Sequence, residues 1–326
     1  MTLDSLFRRR LLVVAGKGGV GKTTVACALA LEGARRGHRV LLCEVDGLAR
    51  TAHLLHGREG AVGEVVEARG GVFLMALEGK AALAEYLQLI IPVSRLLRAV
   101  FSSRIYQYFV AAAPGLKELM TLGKIWYEID RCDEATGRRL WDLVILDAPA
   151  TGHSLQYLRM PAAARDAFTA GLVHREAERL VQKLTDPMRT AINLVTTAEE
   201  MPVNETVGMY HQLHDELHMP TGLLFVNRMH RREFSDEAMQ RVRAAAARGR
   251  DARERTVLEE VVARAREHAG WAAVNARYRT RLAEQVNVPI VEIPFLFTEE
   301  FGFAEVKVVA EHMCHAPLAA RRGQRA

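Results

Sequence analysis

The run Arg10 to Ala15, apolar after its first residue, passes without a break into Gly16-Lys17-Gly18-Gly19-Val20-Gly21-Lys22-Thr23-Thr24. A short stretch with no polar alternation reads as a strand buried on both faces, which belongs in a parallel sheet. Helix formers from Thr23 to Arg36 follow and stop at Gly37. Val40 to Val45 is a second apolar run, so residues 10–45 predict a strand–helix–strand unit with parallel strands.

The pattern recurs along the chain. Val72 to Leu77, Leu143 to Leu146, Ala191 to Thr196, Gly222 to Val226 and Ile290 to Ile293 read as further buried strands, with helical material between nearly all of them. That alternation predicts an α/β fold, a doubly wound, mostly parallel sheet flanked by helices. The strands span the chain, so residues 1–326 are expected to form a single domain with two elaborations. One is a helical insert over residues 80–130, broken at Pro92 and at Pro114-Gly115 and rich in large apolar side chains. The other, residues 235–285, is a charged Ala/Arg/Glu-rich stretch expected to form an exposed helical pair.

Composition excludes several classes. With 49% hydrophobic and 25% charged residues, the chain is expected to be globular rather than disordered or collagenous. Its longest stretch without Asp, Glu, Lys or Arg is the 12 residues Ile105 to Leu116, short of the roughly 18 that a membrane-spanning helix needs. The net charge of +5 is concentrated, with eight arginines against five acids between Arg241 and Glu267 and three more arginines after Ala320. A solvated helix face and a basic tail account for these, so nucleic acid is not an expected partner. Arg8, Arg9 and Arg10 precede an apolar run as in a signal sequence, but the run breaks at Lys17, too soon for a signal core. The expectation is a cytoplasmic protein, with peripheral contact to a membrane left open.

The glycine run specifies a chemistry. Residues 16–23 fit G-x-x-x-x-G-K-[ST] between a strand and a helix, where backbone N–H groups and a helix N-terminus can cradle phosphate. Gly16, Gly18, Gly19, Val20, Gly21 and Thr24 would line that cradle. Lys22 would reach the β- and γ-phosphates, and the Thr23 hydroxyl would sit on Mg²⁺. Gly16, Gly18 and Gly21 also fit G-x-G-x-x-G, and the acids Glu44 and Asp46 close the next strand, so a dinucleotide reading competes. That reading leaves Lys22 and Thr23 without a task, whereas a terminal phosphate uses both. Asp147 ends the apolar run Leu143 to Leu146, the Walker B position for a carboxylate that holds Mg²⁺ directly or through water. ATP and Mg²⁺ are the cofactors expected.

With its early lysine, the run Lys17 to Thr24 resembles the deviant Walker A loop of the SIMIBI-class P-loop ATPases. These include the arsenite-efflux ATPase, the Get-type targeting ATPase for tail-anchored proteins, MinD and ParA. The sequence Asp147-Ala148-Pro149-Ala150-Thr151-Gly152-His153 resembles switch II of the arsenite/Get (ArsA/Get) branch, and Thr197 to Thr206 is similar to that branch's stretch after its next core strand. The resemblance implies two subunits closed face to face around ATP, either a homodimer or a heterodimer with a paralogue, with Lys17 reaching the partner's nucleotide. It implies Asp46 as the switch I carboxylate that orients the attacking water, although Gly47-Leu48-Ala49-Arg50 departs from the family's Pro-Ala-His continuation. It further implies Asn227 at the adenine edge, with Pro294 and Phe295 covering the ring.

What the ATPase would drive is less determined. The resemblance places client-binding helices at residues 80–130, where Pro114-Gly115 and Glu118 fit the family's Pro-Gly-x-x-Glu pattern; an ordinary helical cap on the sheet is the alternative. Cys27, Cys43, Cys132 and Cys314 form no cluster and no Cys-x-x-Cys pair, so neither soft-metal sensing nor a zinc clip between subunits is expected. Handling of a hydrophobic protein client, or regulation of a membrane protein partner, is the leading expectation. The alternatives are a MinD/ParA-type positioning ATPase that binds membrane or DNA, and the ATPase subunit of an anion pump.

Overall fold

The computed structural model describes residues 2–45, 47–79, 115–149, 152–232, 235–248 and 252–315. Among these, eight strands form one sheet: β1 (Leu11–Gly16), β2 (Val40–Val45), β3 (Val65–Ala68), β4 (Val72–Leu77), β5 (Leu143–Asp147), β6 (Thr190–Thr197), β7 (Thr221–Met229) and β8 (Ile290–Pro294). Their spatial order is β3-β4-β2-β5-β1-β6-β7-β8. Every neighbouring pair is parallel except β3–β4, which is antiparallel. The doubly wound, mostly parallel sheet expected from the apolar runs is therefore the observed one.

The runs are wholly apolar because the sheet has two dry faces. Leu11, Val13 and Ala15 enter one core with α4 (Leu116–Asp130), α6 (Leu172–Thr185) and α7 (Glu200–His211). Leu12 and Val14 enter the other, with α2 (Lys22–Arg35) and α10 (Phe303–His315). Alternate side chains thus serve opposite cores, so neither set can turn polar. Short α1 (Leu3–Leu6) and α3 (Ala49–Leu54) lie on the α2 side, and α5 (Gly152–Ala167) contributes Leu158 to the α4 side.

Helix α2 is a core element, with every residue from Val25 to Ala30 fully buried. Its Glu32 is buried too, and is held by Arg35 (Nε to Oε2, 2.6 Å) and Arg36 (Nε to Oε1, 2.6 Å). Burial pushes this carboxyl up, but the hydrogen bonds from Arg35 and Arg36 outweigh it and bring it down to about 2. A depressed carboxyl adds stability that is fully present above its unfolded value and is lost as the pH falls through its folded value. Glu32→Gln should therefore lower stability by about 2 kcal/mol at neutral pH. The gap between variant and wild-type melting temperatures should narrow from pH 5 towards pH 2, as thermal denaturation monitored by circular dichroism will show.

The charged stretch after β7 forms α8 (Asp236–Ala247) and α9 (Ala252–Gln285). Ser235 starts α8 by accepting the Ala238 N–H at 3.1 Å. Along the 34 residues of α9 only one stripe is buried, at Val262, Ala265, Ala272, Asn275, Tyr278 and Leu282, so most of the helix faces solvent.

Several boundaries differ from those read in the sequence. β7 continues past Val226 to Met229, because its polar end pairs with β8 across an irregular step between Val226 and Met229. β3 is an additional edge strand that lacks an apolar run, since its Glu67 points to solvent. Of the insert expected over residues 80–130, residues 80–114 lie outside the described residues; Leu116–Asp130 is helical, starting after Gly115 at φ 85°. No helix among the described residues is long and apolar enough to cross a membrane.

Candidate active site

The loop between β1 and α2 is built by contacts that only glycine permits. Gly16 lies against β6, and a Cβ on it would sit 2.2 Å from the Val195 carbonyl oxygen. Gly21 caps α2 in the left-handed region (φ 95°), and a Cβ there would stand 2.2 Å from Nδ2 of Asn227. Asn227, at the C-terminal end of β7, donates Nδ2 to the Val20 carbonyl at 2.9 Å and accepts the Arg228 N–H on Oδ1 at 2.9 Å. Its side chain is buried and braces the loop from behind. The sheet order makes this possible, since β1, β6 and β7 are consecutive neighbours.

Lys22, the first residue of α2, is buried, and its Nζ donates to the Lys17 carbonyl at 3.1 Å. Burial lowers its basicity while Asp147 opposes that shift. Thr23 follows, and its hydroxyl donates to Oδ2 of Asp147 at 2.6 Å. Asp147 ends β5, which lies between β2 and β1, so this carboxylate comes up beside the loop as direct register partner of Val14 on one side and Glu44 on the other. Asp147 is only 6% exposed, and its Oδ1 has no hydrogen-bond partner. Burial raises the Asp147 carboxyl to about 7, with Glu44 adding to the rise and Thr23 and Lys22 working against it.

A buried carboxylate oxygen with no donor is expensive to maintain, and a divalent cation beside a hydroxyl resolves that expense. Thr23 and Asp147 therefore fit Mg²⁺. A cation that competes with the Asp147 proton binds more tightly as the pH rises through about 7.

Lys17 takes a different direction from Lys22. Its Nζ pairs with Oε1 of Glu205, on α7, at 2.6 Å, and both side chains remain about one-third exposed. Thr24, Gly18 and Gly19 belong to the same loop-to-helix turn. Asp46 lies outside the described residues, as do Ala150 and Thr151; Val45 is the last residue of β2, and Gly152 opens α5.

Beyond Asn227 the site is walled by aromatic rings. The Phe295 backbone N–H donates to the Met229 carbonyl at 3.0 Å, next to Pro294 at the end of β8. The Phe295 ring stacks on His230 with centroids 4.7 Å apart and planes at 18°. His230 also faces Trp271 of α9 at 6.0 Å, and its backbone N–H donates to Oδ1 of Asn275 at 2.8 Å. Asn275 in turn donates to the Ala198 carbonyl at 3.1 Å, tying α9 to the ends of both β6 and β7. The sequence singles out Glu44 only as an acid of the competing dinucleotide pattern, and does not single out Glu205, His230 or Asn275 as site residues. The one available signal was polarity out of place: a glutamate closing an apolar strand, and an asparagine within the buried stripe of α9.

The cysteines are free and dispersed: Cys27 and Cys43 are buried, Cys132 is exposed and Cys314 is half-buried. Among the described residues, no three His, Cys, Asp or Glu side chains converge as a metal-binding group.

Known proteins are similar to this chain in sequence. Residues 9–172, just over half of the chain and all of the segment from β1 to the end of α5, match the family model described as anion-transporting ATPase. The chain is 35% identical over 223 residues to the ATPase BagA of Mycobacterium tuberculosis, an alignment covering 67% of this chain and 65% of that one. It is 26% identical over 224 residues to an arsenical pump-driving ATPase of Escherichia coli, covering 62% of this chain and 36% of that protein. A putative arsenical pump-driving ATPase of Halobacterium salinarum is 25% identical over 249 residues, covering 70% and 37%. The chain thus spans just under two thirds of its mycobacterial relative and little over a third of the pump-driving proteins. With the glycine loop, Lys22, Thr23 and Asp147 assembled at the matched end of the sheet, this chain belongs to the anion-transporting (ArsA-type) ATPase family.

Proposed function

We propose that this chain binds ATP with Mg²⁺ at the C-terminal ends of β1, β5, β6 and β7 and hydrolyses it as a dimer. The observation that carries the reading is the 2.6 Å contact between Thr23 and Asp147 beside a buried Lys22, under a loop of glycines. Thr23 and Asp147 would hold the magnesium ion, which when bound withdraws charge from the phosphates. Lys22 would follow the β- and γ-oxygens, the loop N–H groups would hold the phosphate chain in place, and Asp46 would orient the attacking water. Asn227 keeps the loop in its binding shape, and Phe295 with Pro294 would cover the base.

Lys17 supports the dimer reading. Its ammonium pairs with Glu205 on α7, and to reach a nucleotide on a second subunit it would exchange that pair for the partner's phosphates. For an identical partner, sedimentation of the purified chain should show a monomer without nucleotide and a doubled mass with ATP and Mg²⁺; a single mass under both conditions would remove the homodimer and leave a paralogue as the partner. Phosphate release by the wild type should require Mg²⁺ and stop in EDTA.

The relatives support one reading of the coupled process. Proteins named for driving an arsenical pump are similar over 62% and 70% of this chain, which supports coupling to a pump. Handling of a hydrophobic client belongs to the same reading, but its residues fall mainly in 80–114, outside the described part of the chain.

A further inference from the structure

Glu44 is the one carboxylate that the sheet register brings directly beside Asp147. The two are partners across the parallel β2–β5 pair, and laterally paired residues of neighbouring strands point to the same face. Glu44 follows four fully buried residues, Val40 to Cys43, at the edge where β2 opens into the cleft. Its orientation is fixed by Thr51 of α3, itself fully buried, whose backbone N–H and hydroxyl both donate to Oε2, at 3.2 and 2.7 Å. No Lys or Arg forms an ion pair with Glu44 among the described residues, and the positive charge that acts on it through space is Arg50, on the same helix as Thr51.

Two partly or wholly buried carboxylates on adjacent strands repel one another, and one of them, Asp147, presents an oxygen with no partner and almost no exposure. Sheet geometry and that orphaned oxygen point the same way: the pair is suited to hold a cation. Mg²⁺ in nucleotide sites takes one or two carboxylates together with phosphate oxygens and keeps several waters.

We propose that Glu44 is the second carboxylate of the Mg²⁺ site, with Thr51 as the residue that positions it. The inference rests on the ATPase reading above. Asp147 supplies the near ligand, Glu44 completes the negative field that holds the ion, and the Thr51 hydroxyl keeps one Glu44 oxygen turned away so that the carboxylate presents a fixed face.

The test measures metal and nucleotide separately on the full chain. Mn²⁺ is titrated into protein and ADP and followed by electron paramagnetic resonance, and ADP affinity is measured independently in EDTA. Glu44→Gln should weaken Mn²⁺ binding about 10- to 100-fold, as loss of an outer carboxylate does elsewhere, while ADP affinity in EDTA stays unchanged or tightens. Thr51→Val should weaken Mn²⁺ in the same sense by less, and Glu44→Asp should restore part of the loss. Mn²⁺ affinity within twofold of wild type in Glu44→Gln overturns the proposal, as does an equal loss of ADP affinity in EDTA, which would mark damage to the fold. If Glu44→Gln does not fold, Thr51→Val and Glu44→Asp decide in its place by the same criteria. If wild type binds ADP and Mn²⁺, and Asp147→Asn weakens Mn²⁺ while Glu44→Gln does not, Glu44 fails alone. If wild type binds no ADP in either condition, the ATPase reading fails and takes this inference with it.

Discussion

Lys22→Ala should abolish ATP hydrolysis, lowering the single-turnover rate by about 10³-fold or more, with no loss of thermal stability. The first half follows from position. Lys22 opens α2 directly above the Thr23–Asp147 contact, and a cation placed at developing phosphate charge in a dry cleft is worth far more than one in water. The second half follows from burial. The Lys22 ammonium is buried and donates to the Lys17 carbonyl at 3.1 Å. Removing it sacrifices little native bonding and relieves a buried charge. Phosphate release and thermal denaturation on the same preparation check both halves. A variant that loses activity and stability in step would make Lys22 a structural residue, while one that hydrolyses ATP normally would overturn the loop assignment.

Asp46→Asn should leave ATP binding intact and slow turnover by about 10²- to 10³-fold, the usual range for losing a residue that positions or deprotonates a nucleophile. Asp46 follows Val45, the last residue of β2, in the sequence, and is the carboxylate that the family resemblance assigns to the attacking water. An amide keeps the size of the side chain and removes the charge that accepts the water's proton. Bound ATP should then accumulate, and with it the doubled mass. Equilibrium binding, quenched-flow turnover and sedimentation separate these outcomes. Normal turnover by Asp46→Asn would move the water-positioning role to another residue.

The strands were legible because the sheet is dry on both faces. Val13 and Val14 point into opposite cores, so neither could be polar, and the resulting apolar runs identify themselves. β3 was not legible: it is a short edge strand with one covered face, and Val65–Ala68 carries its glutamate outward. The end of β7 was missed for a related reason, since Asn227 and Arg228 interrupt the apolar run while the backbone goes on pairing toward β8. The glycine loop could be read residue by residue because phosphate contact is made by the backbone of consecutive positions. Meetings across the fold could not. Lys17 and Glu205 are 188 residues apart, and their contact depends on α7 following β6 back across the loop. The amide of Asn227 is committed to Val20 and Arg228, a bracing contact that its position at a strand end does not announce.

The wall beyond Asn227 also gives the molecule a built-in optical reporter. Of the three tryptophans, Trp126 and Trp141 are buried in the core, whereas Trp271 is 47% exposed. Collisional quenchers such as iodide should therefore reach Trp271 selectively, and it is the indole that lies beside the His230–Phe295 stack. Light emitted at longer wavelength, and lost to quencher, comes from the rim of the cleft, while the shorter-wavelength remainder comes from the core. A change at that end of the sheet can thus be followed in the unlabelled protein, with the two buried indoles as the contrasting signal.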